Sequence, residues 1–182
     1  MDKLVRQAIV EILKENTQLL RIPIRQRAKF EGWLKFQLAH HLEIRGMAHV
    51  EVESRSGFGR YRNDVTFFSG GEPYSVELKT PTANWQLGGV SLASRHLTEG
   101  IQAVIEDAEK LNSPSGIVAF VLFPVPVGDD RWQAYLYRIN EKTQLRLTRE
   151  ENCELINIPL EEGNACTMVV CTFRSRRFRS WT

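Results

Sequence analysis

The sequence predicts an α/β fold in which a helix, a three-strand meander, a crossover helix and a parallel strand form a mixed central sheet, with additional C-terminal strands. Three observations predict it. Residues 63–69 and 72–79 are β-type runs flanking Gly70-Gly71, a two-residue hairpin signal because both turn positions can take positive φ without a Cβ clash. Residues 117–123, IVAFVLF, are consecutively apolar, the pattern of a strand covered on both faces. Between these, residues 94–112 carry Leu97, Ile101, Val104, Ala108 and Leu111 at helical spacing. A strand, a helix and a buried strand in that order imply a right-handed βαβ unit whose last strand runs parallel to the second strand of the hairpin.

The remaining elements follow from local pattern. Residues 2–15 place Leu4, Val5, Ala8, Ile9, Ile12 and Leu13 on one apolar stripe of a first helix. A second helix is expected from about residue 24 to residue 42, after Pro23, with its stripe through Phe30, Leu34, Leu38 and Leu42 and with Trp33 alongside. Glu31 lies at the edge of that stripe. Residues 48–55 alternate like a half-exposed strand, and Ser56-Gly57-Phe58-Gly59 breaks it. The stretch 80–93 is too apolar for a mere linker, and its Trp85 either touches substrate or caps the core. Residues 132–139, 154–158 and 166–173 read as further strands, separated by Gly128-Asp129-Asp130 and Gly163-Asn164. Nothing divides the chain, so residues 1–182 are expected to form a single domain with a basic tail over 174–182.

Composition narrows the class. No apolar run approaches the roughly eighteen residues of a membrane span, and the opening MDKLVRQAIVEILKEN is an amphipathic helix pattern containing acids. It is no signal peptide, and a cytoplasmic protein without a membrane partner is expected. Cys153, Cys166 and Cys171 are odd in number and lack C-x-x-C spacing, so they read as small core residues, with neither a disulfide framework nor a zinc site suggested. Net charge is only +2, but Arg174, Arg176, Arg177 and Arg179 gather at the end with Phe178 and Trp181. Such a tail either contacts a phosphate backbone and stacks on a base, or is a solvated terminus.

The central hairpin carries the chemistry. If Ser69 pairs with Glu72, Asp64 falls opposite Glu77 on one face, with Cβ atoms roughly 4.5 to 5.5 Å apart. Lys79 shares that face, while Val65, Phe67, Val76 and Leu78 point into a core. Arg62 falls opposite Lys79 in the same register. Like charges facing each other destabilise a hairpin unless compensated, so the arrangement asks for a cation.

An Asp on one strand and Glu-x-Lys on the next, here Asn63-Asp64, a gap of twelve residues and then Glu77-Leu78-Lys79, resembles the PD-(D/E)XK nuclease superfamily. Asn63 stands where the literal motif has Pro. The resemblance implies a restriction-endonuclease-like core, which the predicted order of helix, three strands, helix and strand matches. It implies that Asp64 and Glu77 hold magnesium, for which manganese can substitute, and that Lys79 orients or activates the attacking water. It also implies that a Glu from the first core helix completes the metal site, and Glu31 is the position that matches; the alternative is a surface ion pair of Glu31 with Lys35. Arg60, Arg62, Trp85, Arg176 and Arg177 are the candidate nucleic-acid contacts.

Rival chemistries lack their signatures: the sequence has no phosphate-binding G-x-x-x-x-G-K-[ST], no G-x-S-x-G elbow and no H-E-x-x-H helix. His40, His41, His49 and His96 are scattered, with His96 opening the post-hairpin helix. Three readings stand. The first is a metal-dependent endonuclease hydrolysing phosphodiester bonds, with DNA favoured over RNA, of a restriction, repair or host-defence kind, and a homodimer if it cuts duplexes. The second is an inactive module of that fold that binds nucleic acid or a partner protein. The third is an unrelated α/β domain with an exposed salt-bridge network.

Overall fold

A computed structural model describes residues 1–55, 62–91, 97–111, 113–160 and 163–175. Among these, six strands form one mixed sheet in the order β1 (Ala48–Val52), β2 (Val65–Ser69), β3 (Glu72–Lys79), β4 (Gly116–Pro126), β6 (Ala165–Arg174) and β5 (Cys153–Pro159). Helix α1 (Asp2–Glu15) buries Val5, Ala8, Ile9, Ile12 and Leu13 of its expected stripe, with Leu4 partly buried against the same core. Strand β1 (Ala48–Val52) lies at one edge and pairs antiparallel with β2 (Val65–Ser69). Strand β3 (Glu72–Lys79) pairs with β2 from Ser69↔Glu72 to Val65↔Val76, the expected register. Gly70 and Gly71 make the turn at φ 60 and 83, values that a side chain would resist.

Helix α4 (Leu97–Leu111) crosses to β4 (Gly116–Pro126), which runs parallel to β3 with Glu77 beside Val118. The apolar run of β4 is uninterrupted because both of its faces are covered. Ile117, Ala119, Val121 and Phe123 join a core with α1, α2 (Thr17–Gln26) and α3 (Glu31–Ile44), while Val118, Phe120 and Leu122 join a second core with α4 and α5 (Gln133–Thr143). The sheet is therefore the middle of three layers. Strands β5 (Cys153–Pro159) and β6 (Ala165–Arg174) complete it antiparallel to each other, with β6 antiparallel to β4.

Two expectations fail. The helix expected over 24–42 is instead two: α2 (Thr17–Gln26), with Pro23 inside it, and α3 (Glu31–Ile44). Arg27 ends α2 in the left-handed region at φ 49. It is held there by its guanidinium, which donates to the carbonyls of Ala83, Trp85 and Ser91. A long-range tether therefore sets the boundary, and Leu20 and Ile24 are buried on the turns around Pro23. The stretch 132–139 is mainly α5 (Gln133–Thr143) and not a strand. Its buried residues, Trp132, Leu136 and Ile139, recur at four and then three, which is helical spacing; the aromatic Tyr135 and Tyr137 give the misleading β signal. A one-turn helix α6 (Arg149–Asn152), capped by the Thr148 hydroxyl accepting from the Glu151 N–H, precedes β5.

Candidate active site

The hairpin ends where β2 begins and β3 finishes, and there α3 and α4, from opposite layers, both bring side chains to the sheet. Asp64 sits one residue before β2. Its Oδ2 accepts the Leu78 N–H at 2.8 Å and its Oδ1 accepts from Lys35 Nζ at 3.1 Å. The β2–β3 ladder thus stops at Val65↔Val76, and the Asp64 side chain takes over the next donor of β3. Its backbone carbonyl turns the other way, to the Glu53 N–H at 3.1 Å.

Asn63 has a structural reason for standing where the motif has Pro. Its N–H donates to Ser54 O at 3.0 Å and its Nδ2 to Ser75 Oγ at 3.2 Å, and a proline could do neither. Arg62 does not stand opposite Lys79. The chain before Asp64 has moved over to the β1 side, so Arg62 bridges Arg55 and its Nη1 lies 3.9 Å from Glu53 Oε2.

Glu77 is 2 % exposed and its Oε1 is held by Lys110 Nζ from α4. Burial pushes its carboxyl up to about 7, opposed by the Lys110 contact and reinforced by the charges of Asp64 and Asp107. Lys79 Nζ lies 2.7 Å from Asp107 Oδ2, 4.0 Å from Glu31 Oε1 and 4.0 Å from Asp64 Oδ2. The Asp107 contact is an ion pair outside hydrogen-bond angles, and Lys79 Nζ also donates to Leu78 O at 3.3 Å. Burial works to lower the Lys79 pKa, but Asp107, then Glu31 and Asp64, outweigh it and hold the ammonium above its ordinary value.

Glu31 opens α3, and burial raises its carboxyl, with Lys79 opposing the rise and Asp64 adding to it. Its Oε2 is buried without a hydrogen-bond partner among the described residues. Lys35, the alternative partner for Glu31, reaches instead to Glu53 and Asp64, each at 3.1 Å. Carboxylates from α3, the start of β2 and α4 thus converge on one ammonium from β3. The cation that the facing Asp64 and Glu77 demand is supplied here by lysines.

Asp107 and Lys110 are not reached from the sequence, and Lys35 is reached only as a partner for Glu31. Asp107 had a signal: it lies three residues after Val104 on the buried stripe of α4, and a carboxylate there needs a partner. Lys110, at i+3, then meets Glu77 while Asp107 meets Lys79, so α4 answers the charge order of β3 residue by residue.

Trp85 lies away from this convergence of charges in its contacts. The Arg131 guanidinium sits 5.5 Å over its ring and Tyr135 meets its edge at 6.3 Å. Arg60, His96, Arg176 and Arg177 lie outside the described residues, as does the tail from 176 onward. Arg174, expected in that tail, belongs to the fold: it ends β6, donates to Pro114 O at 2.5 Å, lies 3.5 Å from Asp2 and covers the Tyr74 ring. Ser175 follows suit, donating from its backbone to Gly116 O at 2.9 Å.

Among the described residues, no three His, Cys, Asp or Glu side chains gather closely enough to hold a metal ion as they stand. The donor chemistry of Asp64, Glu77 and Glu31 nevertheless suits a hard divalent cation, and the unpartnered Glu31 Oε2 is an oxygen in want of one. No helix among the described residues is long and apolar enough to cross a membrane. Comparison with protein-family models, with curated proteins and with solved structures gives no match to this chain.

Proposed function

We propose that this chain is a metal-dependent nuclease of the PD-(D/E)XK kind, hydrolysing phosphodiester bonds in DNA in preference to RNA. The observation that carries the reading is the convergence of Glu31 and Asp64 on Lys79, with Glu77 two residues along the same strand face. The order of helix, three-strand meander, helix and parallel strand supports it, since that is the order of a restriction-endonuclease-like core.

Asp64, Glu77 and Glu31 would hold magnesium, or manganese in its place. The ion would supply charge neutralisation for the phosphoryl oxygens and an acidified water. Lys79, kept cationic by its three carboxylates, orients the attacking water and steadies the charge developing on the phosphate. Lys35 and Lys110 pair with Asp64 and Glu77, which offsets part of the cost of bringing these carboxylates together. Exposed Arg62, beside Asp64, is available to a phosphate, and the arginines of the tail extend that attraction. One site cuts one strand, so cleavage of duplex DNA calls for a homodimer.

A second reading rests on those same lysines. Each hairpin carboxylate already has an ammonium partner, an arrangement that an inactive module binding nucleic acid or a partner protein can keep without any metal. One experiment separates the two. The protein is incubated with supercoiled plasmid, single-stranded DNA and RNA, each with magnesium, manganese or chelator, beside Asp64→Asn. Metal-dependent cutting by wild type alone is expected; binding of any of these without cutting favours the inactive module.

A further inference from the structure

We propose that Asp107 of α4 is the positioning residue for Lys79, fixing the ammonium at the point that Glu31 and Asp64 face. The inference rests on the nuclease reading and deepens it by adding a residue from outside the hairpin. A lysine ammonium rides on a flexible four-carbon stem and takes its place from its partners. Of the three carboxylates around Lys79 Nζ, Glu31 and Asp64 stand at 4.0 Å, beyond hydrogen-bond reach, and Asp107 at 2.7 Å. Asp64 is moreover committed elsewhere, to Lys35 and to the Leu78 N–H. The other close contact of Nζ, with Leu78 O at 3.3 Å, lies on its own strand, so among partners from other elements Asp107 is the one that decides where the charge sits.

Asp107 is itself buried. It is 8 % exposed on the stripe that α4 presents to the second core, between Val104 and Ala108. A buried carboxylate paired with a lysine is seldom there for stability, because an apolar residue of similar volume does as well or better. What the pair supplies is a defined direction for the ammonium. Lys110, one turn further on, restrains Glu77 from the same helix, so α4 acts as the template against which both reactive residues of β3 are set.

The test has two arms, on wild type, Asp107→Asn and Asp107→Glu, with melting temperatures confirming that each is folded. In the first, a brief pulse of an amine-acylating reagent at neutral pH is followed by peptide mass spectrometry, with exposed Lys3 as internal reference. Lys79 should label several-fold faster in Asp107→Asn than in wild type and remain protected in Asp107→Glu, which keeps the charge. Unchanged Lys79 labelling in a folded Asp107→Asn overturns the proposal. In the second arm, cleavage kinetics should show kcat lowered by about 10- to 100-fold in Asp107→Asn, the usual size for loss of an outer partner, with KM unchanged. Asp107→Glu should recover part of it. A raised KM at unchanged kcat would make Asp107 a substrate contact and also overturn the proposal. Should wild type cut nothing, the nuclease reading falls, and the labelling arm alone decides whether Asp107 fixes the ammonium. If Asp107→Asn does not fold, protection of Lys79 in Asp107→Glu decides the same question.

Discussion

The carboxylate of Asp64 accepts the backbone N–H of Leu78 at 2.8 Å, so a site residue also serves as the last rung of the hairpin. Its two roles can be separated by choice of substitution. Asp64→Asn keeps an oxygen for Leu78 and loses the charge, whereas Asp64→Ala leaves a buried donor unpaired at a cost of about 1 to 3 kcal/mol. Urea unfolding should rank Asp64→Ala below Asp64→Asn by about that amount, while both lose cleavage. Equal stabilities would mean that the rung contributes nothing.

Metal dependence should be visible in stability. A cation that binds only the folded chain adds about 1.4 kcal/mol at ten times its Kd, or roughly 3 to 6 °C in Tm for a chain of this size. Manganese, which binds oxygen sites of this kind more tightly than magnesium, should give wild type that shift over chelator. Asp64→Asn should lose most of it, and Glu31→Gln part of it. A wild type unmoved by millimolar manganese would leave Asp64, Glu77 and Glu31 without a metal.

Glu77 makes a pH prediction whose sign is fixed. Its folded carboxyl titrates at about 7, against 4.5 for the free group. Between those values the folded chain holds a proton that the unfolded chain has released, so this residue's contribution to stability falls as pH rises. Glu77→Gln removes the dependence. Its stability relative to wild type should therefore climb from pH 4 to pH 8, by at most about 3 kcal/mol at 1.4 kcal/mol per unit. Denaturant melts at four pH values would check it, and a difference that is flat or declines with pH would contradict the buried, proton-retaining carboxyl.

Removal of residues 176–182 should leave the fold intact, because Arg174 and Ser175 hold the end of β6 to Pro114 and Gly116. Nucleic-acid affinity should drop, and the slope of log K against log salt should shrink by about 0.9 per lost phosphate contact on duplex DNA. An unaltered slope would show that Arg176 and Arg177 are solvated. Truncation two residues earlier, before Arg174, should destabilise as well.

The hairpin was legible because two glycines fix a register, and a register fixes faces; Ser69↔Glu72 follows from Gly70-Gly71 alone. The first helix and both faces of β4 were legible for the same kind of reason, a period in apolar residues. What could not be read was decided at long range. The end of α2 depends on three carbonyls more than fifty residues away, and Pro23 hid the helix that tertiary packing of Leu20 and Ile24 sustains. In the site, Asp64, Glu77 and Lys79 could be found by strand arithmetic, and Glu31 by a stripe edge together with a resemblance. Asp107 and Lys110 needed the third dimension, since no local rule says that α4 lies across β3 with its Asp over Lys79.

The grip of Arg27 on the loop after Lys79 also bears on how that loop moves. One guanidinium gathers Ala83, Trp85 and Ser91, while the Ser91 N–H returns to Arg25 O at 2.8 Å and the Ala83 N–H to Phe123 O at 2.6 Å. Restraints that share one guanidinium are released together, so this loop opens as a cooperative unit and does not fray from one end. The amides of Ala83 and Ser91, eight residues apart, should exchange with solvent at a common rate, and Arg27→Met should accelerate both by the same factor.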